Sequence, residues 1–320
     1  MKKGEEILPK ISVIMSTYKE PLNWVRAAVE SILRQSLTDF EFIVVIDDPN
    51  NKSVVEYLEA IDDSRVILVK NESNLGLVRS LNKALKLCKA DYIARMDADD
   101  ISLPERFENQ LTFLTTHNYD LCGSQYELFD DTHSIRVSKP PQFSPACKKV
   151  LCYESCVAHP TWMTRKIVYD FLDGYRNMDA VEDYDFLIRA AKSGYKLGNV
   201  QKVLFKYRDN RNSISHKKNI IQELNRRFIG ENYRKGSVVT QNEFDTYRNS
   251  EIYMKHIHEL EEVQKLQNQI IEEKNLLKKI VSVSRLCKYK MYVTRKIERQ
   301  FVKAIKKMEV IHREGNINRV

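Results

Sequence analysis

Long apolar runs are missing from this 320-residue chain. The best of them, Ile11–Met15 and Phe40–Ile46, fall far short of the roughly 18–20 residues that cross a bilayer. The opening MKKGEEILPK places glutamates where a signal peptide needs an apolar core, which predicts a protein that stays in the cytosol. Glycine (nine) and proline (eight) are too scarce for a fibrous or low-complexity chain. The six cysteines form no C-x-x-C pair, so the sequence lacks the usual redox and zinc signatures. Cys147, Cys152 and Cys156 followed by His159 match no standard zinc spacing; they read first as small buried side chains and only secondarily as a metal set. Neither G-x-G-x-x-G nor G-x-x-x-x-G-K-[ST] occurs, which disfavours a Rossmann dehydrogenase and a P-loop enzyme.

What is present is an ordinary globular composition, 42% hydrophobic and 30% charged, with a formal net charge of +8. That charge is concentrated at one end. Between Val283 and Val320 there are eleven Lys and Arg against three Glu, while the preceding 282 residues are balanced at 41 each. A basic tail suits nucleic acid or an anionic membrane surface, and its pattern must decide.

The first hundred residues alternate strand and helix signals. Ile11–Met15, Phe40–Ile46, Arg65–Val69 and Tyr92–Met96 are short runs suited to buried strands. Leu22, Val25, Val29 and Ile32, and later Leu77, Leu81 and Leu85, recur at helical spacing between them. This alternation predicts an α/β fold, Rossmann-like, with a mostly parallel sheet flanked by helices. Ser102-Leu103-Pro104-Glu105 reads as a capping box opening a helix to about Thr115. Strands are expected near Leu121–Phe129, Thr161–Met163 and Lys202–Tyr207, a Pro-rich loop at Lys139–Pro145, and a helix over Glu182–Ser193. Beyond Asn219 the chain reads as helical and charged, so a helical extension over 219–320 follows a domain of 1–218, itself divided into halves 1–118 and 119–218.

In a parallel sheet, ligands bind beyond the carboxyl ends of the strands. Here those ends carry Ser16-Thr17-Tyr18, Asp47-Asp48 and Asp97-Ala98-Asp99-Asp100. An aromatic ring, hydroxyls and paired carboxylates make an inventory suited to a nucleotide and a divalent ion, because Mg²⁺ and Mn²⁺ prefer oxygen ligands and substrate phosphates. Any one Asp-x-Asp is equally well a cap or a solvated turn. Three carboxylates in four residues after an apolar strand repel one another unless a cation offsets them.

The strings ISVIMSTYKEP, FEFIVVIDDPN, NLGLVRSLNKAL and YIARMDADDISLPERF resemble the nucleotide-binding half of the family 2 glycosyltransferases. AHPTWMTRK, DGYR and VEDYDFLIRA resemble that family's acceptor side. The matches occur in the family's order across about two-thirds of the chain. The resemblance implies a GT-A fold and an inverting transfer from a nucleotide-sugar, a UDP-sugar first, with Mn²⁺ or Mg²⁺, to a glycan or lipid-linked glycan in surface-polysaccharide assembly. It implies that Ser16 and Tyr18 contact base and ribose, with Asp47 and Asp48 at the base, and that Asn74, Gly76 and Arg79 pass near base and diphosphate. It implies Asp97 toward ribose or a metal-bound water, Asp99 as metal ligand and Asp100 as a structural group. By residue type alone Glu182-Asp183 is a helix start; the resemblance makes Asp183 the catalytic base, Glu182 its partner in orienting the acceptor, and Asp185 the fallback. His159 reads either as a packed histidine or, with Trp162, as a lining of the acceptor cleft. Arg208, Ser213 and His216 resemble a loop that closes over the diphosphate.

In the tail, Ile257, Leu260, Val263, Leu266, Ile270, Leu277 and Ile280 read as a short coiled coil or as a helix folded back on the catalytic domain. Tyr289, Val293, Ile297, Phe301, Ile305 and Met308 form a stripe with Lys and Arg around it, as in a helix lying in an anionic membrane interface. A docked surface helix or a homo-oligomer contact are the plainer accounts. No aromatic interleaving or recognition motif points to nucleic acid. The rival from another class is a catalytically silent, nucleotide- or glycan-binding scaffold. The expected location is cytoplasmic, with the inner face of the membrane as the site of any peripheral contact.

Overall fold

A computed structural model describes residues 8–210, 218–273 and 275–317. The expected positions Ser213 and His216 lie outside the described residues. The described residues group into two compact units. The first combines Met1–Lys148, Ser155–Arg176 and Phe186–Asn210; the second combines Lys149–Glu154, Asn177–Asp185 and the C-terminal region from Arg211. Two short stretches upstream of residue 218 therefore group with the C-terminal helices, which a single cut at 218/219 does not anticipate.

The first unit is built on one sheet. Strands β1 (Ile11–Thr17), β2 (Phe40–Ile46), β3 (Val66–Lys70) and β4 (Tyr92–Asp97) pair in parallel, in the order β3-β2-β1-β4. The sheet then continues through β8 (Met163–Arg165), β6 (Leu121–Phe129), β9 (Leu197–Arg208) and β5 (Ile101–Ser102), with β7 (Ser134–Val137) also on β6. β8 is antiparallel to both its neighbours, and β6 and β9 run parallel. Helices α1 (Leu22–Leu33), α2 (Lys52–Glu59), α3 (Leu77–Leu85) and α4 (Arg106–His117) connect the strands, joined by α5 (Ser144–Val150), α6 (Lys166–Leu172) and α7 (Glu182–Lys192).

Every residue of β1 and β2 is buried, as expected of strands covered on both faces. Val25, Ala28, Val29 and Ile32 of α1 pack against this sheet, and full burial of each of the two valines and the isoleucine contributes roughly 1.5–3 kcal/mol. The polar exceptions are paired. Ser12 Oγ donates to Glu41 Oε1 (2.6 Å), and Glu41 also accepts from the Lys89 amide.

Some local expectations are corrected. Ser102 does not cap a helix: it lies in β5, opposite Phe205, and its hydroxyl accepts from Gln35 Nε2, so α4 begins four residues later at Arg106. Pro160 helps form a short 3-10 turn over His159–Thr161, which delays β8 to Met163. The Pro-rich stretch leads directly into α5, which begins at Ser144 with Pro145 in its first turn.

The second unit is helical. It contains α8 (Asn219–Arg234), α9 (Gln241–Arg248), α10 (Glu251–Glu272), α11 (Leu276–Leu286) and α12 (Lys290–Ile317). Thr240 and Glu243 form a capping box at α9, and Ser250 caps α10. Leu224, Tyr253 and Met291 form its buried cluster, with Ile257 and Leu260 against it. The Glu251–Ile280 stretch forms two helices rather than one continuous coiled-coil helix, with a break before Leu276, and the first packs on the buried cluster of its own unit.

Candidate active site

The parallel register sets three expected groups side by side. Ser16 lies opposite Val45 on one flank and Asp97 on the other, and the Asp47 amide donates to Thr17 O (2.8 Å). The carboxyl ends of β1, β2 and β4 thus form one edge, and no sequence-adjacent pair creates it.

Asp47 is fully engaged there. It is buried; Oδ1 accepts from Asn71 Nδ2 and the Leu75 amide (both 2.8 Å), and Oδ2 accepts from the Gly76 amide (2.9 Å). Asn71 Nδ2 also donates to Ser80 Oγ, and Lys83 Nζ to Asn71 Oδ1. The carboxylate therefore holds the 71–76 loop on the strand edge, while Asp48 stays half-buried with Oδ1 accepting from the Asn50 amide. Gly76 starts α3 at φ +84°, ψ 160°, a conformation open essentially to glycine alone. Asn74 and Arg79 are exposed. Tyr18 is half-buried; its amide and the Thr17 hydroxyl both donate to Glu20 Oε2, a partner that sequence reading did not single out.

The acidic turn after β4 is closed by the far end of β9. Asp97 pairs with the buried Arg95 guanidinium. Asp100 is buried and accepts from the Arg208 amide (2.7 Å). Asp99 Oδ2 accepts from Asn210 Nδ2 (2.9 Å) and its carbonyl accepts from Arg208 Nε (2.7 Å). Burial, and next the Asp97 charge, push the Asp99 carboxyl up to about 6; burial and its two neighbours hold Asp100 well above the usual range. Asp97 and Asp99 offer only oxygen ligands in a place where negative charge is costly. That donor set fits a hard divalent cation, which would relieve the repulsion. Among the described residues no three His, Cys, Asp or Glu side chains gather as a metal cage, so protein carboxylates would supply only part of a coordination shell, and the Cys147–His159 set forms no such cage either.

Two expectations are corrected. Arg208 is not part of a mobile loop. It ends β9, buried between the Trp24 and Phe129 rings (4.7 and 4.6 Å) and paired with Asp131, because its guanidinium is needed to close the acidic turn. Trp162 does not line a cleft: it is fully buried, with Nε1 donating to Val157 O. His159 packs edge-on against it and bonds Tyr175 Oη through Nε2 (2.8 Å); burial, then Arg95, keep this imidazole well below its ordinary pKa, hence neutral.

Glu182 and Asp183 open α7 and belong to the second unit. With Asp185 they make its first turn acidic, opposite basic Arg189 and Lys192 in the last, as the helix dipole favours. Both are half-buried, and Asp183 Oδ1 accepts from the Tyr184 amide. The approach to this helix is strained and braced: Ala180 sits at φ +61°. Asn225 Nδ2 and Gln222 Nε2 of α8 donate to the carbonyls of Asp179 and Ala180 (2.7 and 3.0 Å), and Asp179 pairs with Lys218 and Arg248. No sequence signal links these residues to Asp183.

Known proteins share both pattern and fold. Residues 12–171 match the model of the glycosyl transferase family 2. An uncharacterised glycosyltransferase of Methanocaldococcus jannaschii is 37% identical over 210 residues, 64% of this chain and 72% of that one. The O-antigen biosynthesis glycosyltransferase WbnJ of Escherichia coli is 32% identical over 207 residues, 63% of this chain and 80% of its own. Among solved structures, the mannosyltransferase PcManGT of Pyrobaculum calidifontis, in complex with GDP-Man and Mn²⁺, superimposes with a TM-score of 0.57 at 13% identity, over 95% of this chain and 87% of that one. S. aureus TarS 1–349 with UDP-GlcNAc gives 0.56 at 15%, over 96% and 92%. At such identities the structural likeness speaks for the fold, which is of the GT-A type. The sheet, the strand-end site and the sequence matches lead to one assignment: the chain belongs to glycosyl transferase family 2 and is a glycosyltransferase.

Proposed function

We propose that the protein is an inverting enzyme that moves a sugar from a nucleoside-diphosphate sugar, a UDP-sugar first, to a hydroxyl of a glycan or lipid-linked glycan in polysaccharide biosynthesis. The observation that carries this is the acidic turn Asp97–Asp100, set in register beside Ser16 and buried enough to lift Asp99 to about 6. Relatives and neighbours named for O-antigen synthesis, UDP-GlcNAc, GDP-Man and Mn²⁺ support it.

In this reading Ser16, Tyr18 and Asp48 take the base and ribose, with Asp47 fixing the loop that carries Asn74 and Gly76, and Arg79 meeting the diphosphate. Asp97 and Asp99 hold Mn²⁺ or Mg²⁺, which when bound offsets the charge growing on the departing diphosphate. Asp183 accepts the proton of the acceptor hydroxyl as its oxygen bonds to the anomeric carbon and the bond to the nucleoside diphosphate breaks; Glu182 orients that hydroxyl. The same reading sets the enzyme in the cytoplasm, with contact to the inner membrane face through the extension over 219–320.

A melt of the protein with a panel of nucleotide-sugars, with and without Mn²⁺, tests donor and metal together. Asp99→Asn should abolish the Mn²⁺-dependent stabilisation by donor and cut turnover by about 10²-fold or more. Asp183→Asn should lower kcat by about 10²–10⁴-fold and leave donor affinity unchanged; normal transfer by this variant would remove Asp183 from the mechanism. Full transfer without Mn²⁺ or Mg²⁺ would remove the metal role.

A further inference from the structure

The second unit fixes how α12 is turned. Its inner side buries Met291, Glu298 and Val302. Glu298 faces Arg227, Arg234 and Arg295 at 3.7–3.9 Å, and Arg227 Nη2 donates to Met291 O (2.7 Å). Lys306 joins the same side by pairing with Glu154 (3.2 Å). This docking buries Glu298; the other acidic side chain before Val310, Glu309, is half-buried.

The opposite side is left apolar and cationic. Val293, Ile297, Phe301 and Met308, spaced to fall on one strip, are 37%, 52%, 54% and 55% exposed. Lys290, Lys296, Arg299, Lys303 and Lys307 are exposed around them, and among the described residues between Lys290 and Val310 no acidic side chain is exposed. We propose that this outward strip of α12, Ile297, Phe301 and Met308 with Lys296, Lys303 and Lys307 beside it, docks on a bilayer bearing anionic headgroups.

The charge pattern selects that occupant. A second copy facing this strip would set one cluster of cations against another, a like-charge opposition that costs association. An anionic surface instead gains from each lysine brought near it, while the apolar strip enters the headgroup boundary. The structure also refines the sequence pattern. Ile305, part of the expected stripe, is half-buried, whereas Val293, Ile297 and Met308 remain outward and Phe301, its ring stacked on Tyr153 at 6.2 Å, marks the edge of the strip.

This inference rests on the membrane contact proposed above and names its face and lipid charge. The test is co-sedimentation of the full chain with phosphatidylcholine vesicles, with and without phosphatidylglycerol. Three proteins are compared: wild type, Ile297→Ser/Met308→Ser, and Lys296→Glu/Lys303→Glu/Lys307→Glu, each checked by circular dichroism. Wild type should bind only the anionic vesicles, and less as salt rises. The charge variant should lose at least roughly five-fold in partitioning for each cation removed, and the apolar variant should also release. If wild type binds and both variants bind equally well, the face is wrong although membrane contact survives. If wild type binds no vesicle, both readings fail, and a dimer that the apolar variant converts to monomer would make the strip a protein contact. Donor hydrolysis with Mn²⁺, measured on the same proteins without vesicles, reads the transfer chemistry separately.

Discussion

Gly76 shows how a single residue ties the strand-end edge together. Its amide answers the Asp47 carboxylate and the Asn74 side chain at once, and it turns the chain at φ +84° into α3. A Cβ built there meets nothing within 4 Å, so room is available and only the backbone objects. Gly76→Ala should therefore destabilise by about 1–3 kcal/mol through strain alone. That corresponds to a melting point roughly 2–10 °C lower. Under the proposed function the variant should also weaken UDP binding, because the loop from Asn71 to Gly76 would no longer seat on Asp47. Gly236, also at positive φ with an open Cβ, supplies the comparison: its alanine variant should lose stability and keep UDP affinity.

Among the elements, α8 is the one whose role extends beyond packing. Asn225 is buried, and its amide holds the Asp179 carbonyl in the strained turn that delivers Glu182 and Asp183. Asn225→Ala leaves that carbonyl unanswered, a loss of about 1–3 kcal/mol. If the turn positions the base, kcat should fall by more than the melting point suggests while donor affinity stays at the wild-type value. A fall in stability with kcat intact would make Asn225 a packing residue only. This element also marks the limit of what the sequence shows. The strands from Ile11 to Asp97 are legible because they are mostly apolar, broken only by single polar residues such as Ser12, Glu41 and Arg95, and their ends fall where polar residues abruptly begin. Ser16, Asp97 and Asp99 could be placed from that change alone. Arg208 and Asn210 could not. They reach Asp99 and Asp100 across more than a hundred residues of chain, by the pairing of β9 with β6 and β5, and nothing local to YRDN encodes it. Ser102 misled for a related reason: its local pattern is that of a cap, and its strand pairing with Phe205 overrides it.

At the scale of the whole molecule, the buried titratable groups pull stability in opposite directions as pH falls. His159 is held neutral, bonded to Tyr175 and near the Arg95 charge, with a pKa well below its ordinary 6.5. Below pH 6.5 the unfolded chain takes up a proton there that the folded chain refuses. Its stabilising contribution is thus complete above pH 6.5 and is lost as pH falls toward the folded pKa, with a slope of at most about 1.4 kcal/mol per pH unit. Asp99 behaves oppositely. Raised to about 6, it binds a proton in the folded state before the unfolded chain does, so acidification between about 6 and its ordinary 3.8 favours the fold. The two partly cancel, and the wild-type protein should show a shallow pH dependence between pH 5 and 6.5. His159→Gln keeps a hydrogen-bonding side chain beside Tyr175 and removes the ionisable one. Urea unfolding of the two proteins across this range should diverge, the variant losing less stability, or gaining some, as pH drops by one unit. Parallel curves would mean that His159 titrates normally in the folded state. A wild-type curve that falls steeply while the variant stays flat would instead mean that Asp99 does not carry the opposing proton.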